Sequence, residues 1–417
     1  MSHVYASQHT LHKPKGFSCP PRRFTKGCLV ACVLLPILGS MTAPILAQVN
    51  NQPYNLQIGP VTLRADAGST VSYNDNINLA NTGRQDDWII TPTINIHGLW
   101  QATELNVLTF DLGVGYEQYL LHPSNSSPLI SPDSQAQFKM FVGDFKITFV
   151  DTFSFQNNPT QVGQLSNVTQ FQRLSNDASV TVDWDVGDLT VSLGYHHANF
   201  LVLEQTYSYL DYQSDSVTPQ IALNFSKTIQ AGISASLDSI RYDQDVENNS
   251  TQLTAGPFVS AQISENLSVI ARGGWEFSNY AQGGSNGDSS NIDSFYGSAG
   301  ITHRINDALT EAVSFGREYL PGITSNFTDR IYANYTPTWH ATSLFDIAPQ
   351  FWWESLKDSD AIVSETSTRF GAALNIGFAL TEHSTATFNY AYVMKSSNLS
   401  SLNYSQDVLT LGLKYQF

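Results

Sequence analysis

Apolar and polar residues alternate with a period of two along most of the chain, from Val61 to Phe417. In the segment 189–195 the odd positions are apolar and the even positions are small or polar, and the run 229–238 repeats this pattern. Because successive side chains of a β-strand point to opposite faces, this period is typical of strands with one apolar and one polar face. The chain is therefore predicted to be all-β.

Two kinds of connection separate these segments, and they alternate along the chain. The short ones are predicted at 101–104, 142–144, 186–188, 226–228, 264–266, 305–307, 340–342 and 380–383. The long, polar ones are predicted at 74–87, 119–134, 156–170, 200–213, 243–250, 279–291, 320–327, 355–364 and 396–404. This alternation predicts a transmembrane antiparallel up-and-down β-barrel of about eighteen strands, with short periplasmic turns and long external loops.

The composition agrees with a membrane barrel. Charged residues make up only 13% of the chain, against about 25% in soluble domains, while aromatic residues reach 12%. After residue 47 no window approaches the eighteen consecutive apolar residues that a transmembrane helix needs. An apolar outer band around a polar interior fits these proportions.

The N-terminal region has the features of an export signal. Arg22, Arg23 and Lys26 precede the apolar run 28–38, and small residues lead up to Ala47. We predict a signal peptide over 1–47, a short periplasmic lead-in over 48–57 and the barrel over 58–417.

Removal of this signal peptide would leave a chain with no cysteine, because all three cysteines lie within it, which excludes cysteine-ligated zinc and thiol chemistry. It would also leave fifteen basic and thirty-six acidic residues, a net charge of −21 that argues against nucleic-acid binding.

The C-terminal segment carries an unbroken apolar register. The end of the chain is Phe417, and every second residue from there back to Leu409 is apolar as well. A terminal aromatic residue that closes such a register resembles the signal recognised by the bacterial barrel-assembly machinery. This predicts the outer membrane of a Gram-negative bacterium as the location, its lipid and lipopolysaccharide as surroundings, and an assembly signal formed by Leu409, Leu411, Leu413, Tyr415 and Phe417.

Two short segments resemble a known family. Val71-Ser-Tyr-Asn-Asp-Asn-Ile77 is followed by Asp86-Asp-Trp-Ile-Ile-Thr-Pro-Thr-Ile-Asn95. A strand that ends in Tyr-x-Asp-Asn-Ile, a polar loop, and a strand that opens with Asp-aromatic-Ile and Thr-Pro look like the β-barrel porin type 2 family. The resemblance implies an outer-membrane transport role, and for some members export of exopolysaccharide beside a polysaccharide-export partner. It names no cargo and no ligand residue.

No catalytic or metal motif stands out. The sequence has no HExxH and no phosphate loop. His196 and His197 are neighbours on one predicted strand and therefore point to opposite faces. The loop segment 283–288 lacks the spaced carboxylates of a hand-type calcium site. We predict no enzyme activity, no cofactor and no metal.

Charged residues on the polar face are expected to line the lumen. Acids outnumber bases by seven to four in the predicted set, which consists of Arg64, Asp66, Asp111, Glu117, Asp183, Asp185, Asp238, Arg272, Glu276, Arg369 and Lys414. They would give a mild cation preference or a neutral path for sugars, with Trp352 as a stacking surface, or they would form ladders that fill the lumen. The predicted function is a porin-like conduit for small solutes or polysaccharide. The alternatives are a structural or adhesive barrel acting through its loops and, further behind, an outer-membrane hydrolase.

Overall fold

The computed structural model describes residues 56–360 and 363–417, and these form one antiparallel sheet. Its twenty strands are β1 (Leu56–Ile58), β2 (Val61–Asn74), β3 (Asp87–Gln101), β4 (Val107–Tyr119), β5 (Ser127–Ile130), β6 (Gln135–Val142), β7 (Phe145–Gln156), β8 (Arg173–Val186), β9 (Leu189–Val202), β10 (Tyr212–Asn224), β11 (Ile229–Tyr242), β12 (Ser250–Ser264), β13 (Leu267–Tyr280), β14 (Ile292–Arg304), β15 (Leu309–Pro321), β16 (Phe327–Thr342), β17 (Phe345–Asp358), β18 (Thr366–Ala379), β19 (Ser384–Ser397) and β20 (Tyr404–Gln416). Short 3-10 helices occupy Pro123–Asn125, Pro159–Gln161, Gln205–Leu210 and Ser400–Leu402.

The sheet closes into a barrel because its first long strand pairs with its last. β2 pairs with β20 from Asp66↔Gln416 to Asn74↔Val408, and every other long strand pairs with its chain neighbours. β5 and β6 both pair with β4 and β7, so together they occupy one position in the wall. β1 forms a hairpin with β2 outside the ring. The barrel therefore has eighteen strand positions, as the alternating connections predict.

The two ends of the barrel differ as expected. Eight short turns lie at one end, here called the turn end, and nine longer connections lie at the other, the loop end. Gly143 and Gly187 are the first residues of two-residue turns and have φ of 60° and 66°, a conformation that glycine adopts without a steric penalty. Short turns at one end and longer connections at the other are the arrangement predicted from the sequence.

Two of the predicted connections need correction. The turn predicted at 340–342 lies at 343–344, because β16 continues through an irregular register shift between His340 and Thr342. The loop predicted at 119–134 contains β5, whose residues 127–130 extend the ladder to β4. The predicted signal peptide lies outside the described residues, as does most of the lead-in; its last two residues belong to β1.

The outer and inner faces follow the parity of each strand. On β20 the odd residues Leu411 and Leu413 are each 57% exposed, whereas the even residues Gln406 and Gln416 are nearly buried. Large apolar side chains are exposed in this way on strands all around the wall, as a lipid-facing band requires. Within the described residues, no helix has the length and apolarity to cross a membrane.

Candidate functional site

At the turn end, four of the predicted inward charges lie on neighbouring strands. The carboxylate of Asp66 lies 3.1 Å from His97 Nε2 and 3.1 Å from Lys414 Nζ, and His97 Nδ1 lies 2.5 Å from Asp111 Oδ1. Arg64 is buried two residues before Asp66 on the same strand. These contacts give acids and bases alternately across β2, β3, β4 and β20. In this part of the wall the charged side chains are therefore paired with one another.

A second group lies on β8, across the turn from β9. Lys146 Nζ lies 3.0 Å from Asp183 Oδ2, and Ser192 Oγ donates to Asp183 Oδ1 at 2.6 Å. Thr190 Oγ1 donates to Asp185 Oδ1 at 2.7 Å. Both predicted acids are therefore held by side chains of adjacent strands.

The wall formed by β11, β12 and β13 carries acids without a basic partner at ion-pair distance among the described residues. Ser236 Oγ donates to Asp238 at 2.8 Å and Ser278 Oγ donates to Glu276 Oε1 at 2.9 Å. Arg272, farther toward the turn end, donates instead to Ser298 Oγ at 3.3 Å. Hydroxyl groups, and not bases, therefore hold these two carboxyl groups.

The loop that joins β7 to β8 differs from the other long connections because it crosses the lumen. We call residues 157–172 the strap. It leaves the wall at the fifth strand position, and it contacts residues of β16–β20, here called the far wall, which occupy positions fourteen to eighteen. In a ring of eighteen strands the fourteenth position lies opposite the fifth, so the far wall begins directly across the lumen from the base of the strap. The strap therefore spans the width of the barrel.

On its own side the strap is anchored by Arg173, which is 3% exposed. The guanidinium donates to Gln156 Oε1 at 2.6 Å, to the carbonyl of Asn158 at 3.1 Å and to Gln161 Oε1. Glu117, a predicted lumen acid, lies within electrostatic range of Arg173, but its buried Oε2 accepts no hydrogen bond from the described residues.

Apolar residues of the strap pack against the wall beside it. Phe171 is 1% exposed and lies 6.4 Å from the ring of Phe200 and 5.6 Å from the ring of Tyr207, measured between ring centroids. The buried cluster comprises Val162, Leu165, Val168, Phe171, Phe200, Val202 and Leu210. The strap is thus folded onto an apolar core of its own.

Basic residues of the far wall hold the middle of the strap by its backbone. Arg369 Nη2 donates to the carbonyl of Thr160 at 2.9 Å, and Lys395 Nζ donates to the carbonyl of Gln164 at 3.1 Å. Arg369 and Lys395 are each 1% exposed. Cationic donors make stronger hydrogen bonds than neutral ones, so these two contacts fix the position of the strap.

The two cations are neutralised by acids of the same wall. Glu354 accepts from Arg369 through Oε1 and from Arg330 through Oε2, the latter at 2.7 Å, and Glu365 lies 3.1 Å from Lys395 Nζ. Gly163 of the strap comes so close that a Cβ there would lie 2.7 Å from Arg369 Nη1. Glycine allows this close approach of the backbone.

Of the predicted lumen residues, only Arg369 contacts the centre of the strap. Four other residues of this group were not predicted from the sequence, namely Glu354, Arg330, Lys395 and Gln406. Each has the parity opposite to exposed neighbours such as Phe351, Trp353 and Met394, so the strand alternation could have identified them. Trp352, proposed as a stacking surface, is covered by the Arg369 guanidinium at 5.0 Å. The described residues contain no group of three His, Asp or Glu side chains that could hold a metal ion.

No family model matches the chain, and no curated protein matches it. The resemblance to the β-barrel porin type 2 family therefore stays a prediction.

Several solved outer-membrane proteins are similar in structure. OpdK of Pseudomonas aeruginosa has 9% identity and a TM-score of 0.48, covering 85% of this chain and 99% of its own. OccD3 (OpdP) of the same species has 12% identity and a TM-score of 0.46, covering 85% and 91%. A BenF-like porin from Pseudomonas fluorescens has 9% identity and a TM-score of 0.48, covering 85% and 99%. Similarity at this level identifies neither a family nor a solute for this chain.

Proposed function

We propose that the protein is a porin-like conduit for small polar solutes in a bacterial outer membrane, and that the strap sets its selectivity. The observation that carries this proposal is a loop held across the lumen of an eighteen-strand barrel. Barrels of sixteen to eighteen strands are wide enough for an aqueous channel. A strap fixed to both walls narrows such a channel without filling it along its whole length.

The location and partners follow from the surface and the chain ends. The apolar outer face suits a lipid bilayer, with lipopolysaccharide around the loop end, and the apolar register ending at Phe417 suits the barrel-assembly machinery. Residues 1–47 would direct the chain to the periplasm and be removed there.

The charge distribution favours small cations and neutral polar solutes over anions. The cations Arg369 and Lys395 are bonded to the strap and paired with Glu354 and Glu365. In the contacts described above, Asp238 and Glu276 are instead bonded to hydroxyl groups. The preference should be modest, because salt screens wall charges over about 8–10 Å.

Conductance of the purified protein in a planar bilayer tests the proposal. We expect ion-conducting steps with cations favoured, and a larger conductance when residues 158–171 are replaced by a short Gly-Ser linker. The double variant Asp238→Asn/Glu276→Gln should reduce the cation preference, while Asp144→Asn, at an exposed turn, should not. Absence of conductance in both the wild-type and the strap-shortened protein would reject the conduit and favour a structural or adhesive barrel.

Export of a polysaccharide with an export partner is a narrower form of the same hypothesis. It rests on the family resemblance alone, and a strap attached to both walls works against the passage of a thick polymer. If polysaccharide secretion in a deletion strain were restored by the wild-type gene and by the strap-shortened gene, the polymer would be the better cargo. The remaining alternative, an outer-membrane hydrolase, would be recognised by the release of products from lipid or peptide substrates incubated with the purified protein.

A further inference from the structure

The ladder between β14 and β15 is incomplete toward the loop end. Pairing runs from Gly297↔Arg317 to Arg304↔Thr310 and stops there. Toward the loop end, residues 292–296 of β14 still pair with β13, and residues 318–321 of β15 still pair with β16. The two strands therefore share no ladder over the last four or five residues of their loop-end segments.

Side-chain contacts show how the two edges meet. Arg317 pairs with Ile331, which is 45% exposed on the outer face, whereas Ser294 pairs with Glu276, which is 6% exposed and faces inward. Nevertheless Arg317 Nη1 donates to Ser294 Oγ at 3.1 Å. Side chains on opposite faces of a continuous sheet do not meet. The edge of β15 therefore lies on the lumen side of the edge of β14. We call this overlap of the two strands in the wall the lap joint.

Aromatic rings fill the overlap. Phe327 of β16 lies 5.9 Å from the ring of Tyr280 on the inner face of β13, although β14 and β15 separate these two strands in the ladder. The ring of Tyr319 packs against Phe327 at 5.6 Å. Ile292, on the inner side of β14, is 4% exposed. The lap joint is thus closed by rings and not by a backbone ladder.

One charged side chain bridges the joint. Arg317 donates to both oxygens of Asp329, at 3.0 and 2.8 Å, lies 4.5 Å over the ring of Phe295, and reaches the Phe295 carbonyl at 3.5 Å. In a membrane wall, backbone groups without a ladder partner are costly. Contacts of this arginine stand where ladder hydrogen bonds would otherwise join β14 to β15, so the two edges can separate here without breaking a backbone ladder.

The loops above the joint are tied together. Asp288 accepts from the backbone N–H of Asn326 at 2.9 Å and from Ser359, and Asn248 donates to Asn326 at 2.8 Å. These bonds connect the loops that follow β11, β13, β15 and β17 into one cover, which we call the lid. Asn326 of the lid is followed directly by Phe327 of β16, so the lid joins the wall at the lap joint.

We propose that the lap joint is a lateral portal through which a lipophilic solute passes between the lumen and the outer leaflet. The outer lip is aromatic, with Phe295 55%, Phe277 48% and Trp275 46% exposed, and the inner lip is Tyr280, Ile292 and Phe327. Charge in the path is confined to the Arg317–Asp329 pair and to Asp293, whose Oδ1 accepts from Trp275 Nε1 at 2.6 Å. The rest of the lining is aromatic and aliphatic, so an apolar or weakly polar molecule fits it. The portal goes beyond the polar conduit proposed above and does not depend on it.

A cross-link across the overlap tests the portal. The part of the chain after residue 47 contains no cysteine, so a Ser294→Cys/Tyr319→Cys protein can be closed with a short bismaleimide after it has assembled. A matched pair, Thr302→Cys/Ala312→Cys, joins the same two strands where the ladder is intact. The readouts are uptake of the apolar dye N-phenyl-1-naphthylamine by cells, and ion conductance of the purified protein.

We expect cross-linking at 294 and 319 to lower dye uptake several-fold, toward that of cells without the protein, with conductance unchanged. Cross-linking at 302 and 312 should alter neither. Arg317→Met, which removes the bridge, should raise dye uptake. Equal dye uptake in the open and cross-linked 294/319 proteins would overturn the portal, as would a parallel loss of dye uptake and conductance. Failure of the polar conduit would show in conductance alone.

Discussion

The backbone N–H of Asn167 donates to the carbonyl of Leu79 at 3.0 Å, and both residues have left-handed backbone, with φ of 58° and 48°. In the described part of the chain no other residue except glycine has positive φ. Leu79 is fully buried beside Val393 and Tyr404, on the far side of the lumen from the strap's base. Non-glycine residues in this conformation mark positions that the surrounding structure enforces, so this bond reports how firmly the strap is placed.

Asn167→Val should loosen the strap. Asparagine tolerates the left-handed region, whereas a β-branched residue there costs about 1–2 kcal/mol, and the bond from Asn167 Nδ2 to the Ser401 carbonyl is lost as well. Limited proteolysis of the folded barrel should cut the strap faster in this variant. Asn167→Gly keeps the backbone conformation, so its cleavage rate should lie between those of the wild type and Asn167→Val. If Asn167→Val and the wild type are cut equally fast, the bond from Asn167 to Leu79 does not hold the strap.

Arg369→Met should destabilise the barrel and release the strap. The change removes the donor to Thr160 and one of the two cations on Glu354, and breaking a buried ion pair costs about 3–5 kcal/mol. Arg369→Met/Glu354→Gln should be less destabilised than Arg369→Met, because in the single variant Arg330 alone would face the carboxylates of both Glu354 and Glu318. Urea unfolding of the reconstituted protein gives the free energies; a double variant at least as unstable as Arg369→Met would contradict this account.

Glu247, in the lid, should make the lid sensitive to pH. The side chain is 3% exposed, and burial, with a smaller contribution from Asp288, raises its pKa to about 7, although Asn286 donates to it. Asp288, Tyr209 and Tyr242 are the titratable groups that interact with it. Burial would also raise the pKa of Asp288, but hydrogen bonds from Ser359, Asn326 and Ser290 hold it below its ordinary value.

The sign of the pH effect follows from these directions. The unfolded carboxyl of Glu247 ionises near its ordinary pKa of 4.5, so the folded lid is favoured below that pH and loses this advantage up to about pH 7. The low pKa of Asp288 acts only in stronger acid. Hydrogen exchange in 243–249, corrected for the intrinsic rate, should be faster at pH 8 than at pH 5. Glu247→Gln should remove the difference; an unchanged difference in that variant would assign it to another group.

A charge on the lipid face should cost far more than the same charge one residue away. Leu193 is 54% exposed on the outer face, and Leu193→Arg should destabilise the barrel by about 2–4 kcal/mol if it lies near the membrane midplane. Ser192→Arg places the guanidinium on the inner face beside Asp183 and should cost much less. Equal unfolding free energies for the two variants would mean that the faces are assigned wrongly.

Removal of Phe417 should block assembly and leave export intact. The residue is 60% exposed and continues the outer face formed by Leu411, Leu413 and Tyr415. The truncated chain should accumulate in the periplasm and lack the heat-modifiable band of a folded barrel. Phe417→Tyr, which keeps an aromatic ring at the end of the register, should assemble normally. Normal outer-membrane levels of the truncated chain would show that Phe417 is not part of the assembly signal.

Most of the fold could be predicted from strand parity, that is, from the alternation of apolar and polar residues along each strand. It placed Leu411 outside and Arg369 inside, because a period of two is set by the pleat and needs no knowledge of distant contacts. The interrupted position formed by β5 and β6 was not predicted, since Pro128 and Pro132 favour a loop and the pairing of Ser127 depends on its neighbour Glu117.

The inward course of the strap was also beyond local patterns. Its composition resembles that of the other polar loops, and its attachment depends on Arg369 and Lys395, more than two hundred positions away in the chain. One local hint exists. Val162, Leu165, Val168 and Phe171 repeat every third residue within an otherwise polar loop, and apolar side chains at such spacing need something to pack against.

The pairing of β2 with β20 also dictates an order of events during biogenesis. Ser72 and Thr410 share a 2.8 Å hydrogen bond although 338 positions separate them. The free edge of β2, which is synthesised first, therefore stays unpaired until β20 has been synthesised. Until then two bare strand edges would face lipid, which a bilayer does not tolerate. A chain of this design cannot insert strand by strand as it emerges. It must be kept from aggregating until its last thirteen-residue strand is available to pair, so the chain is most exposed to aggregation just before the ring closes.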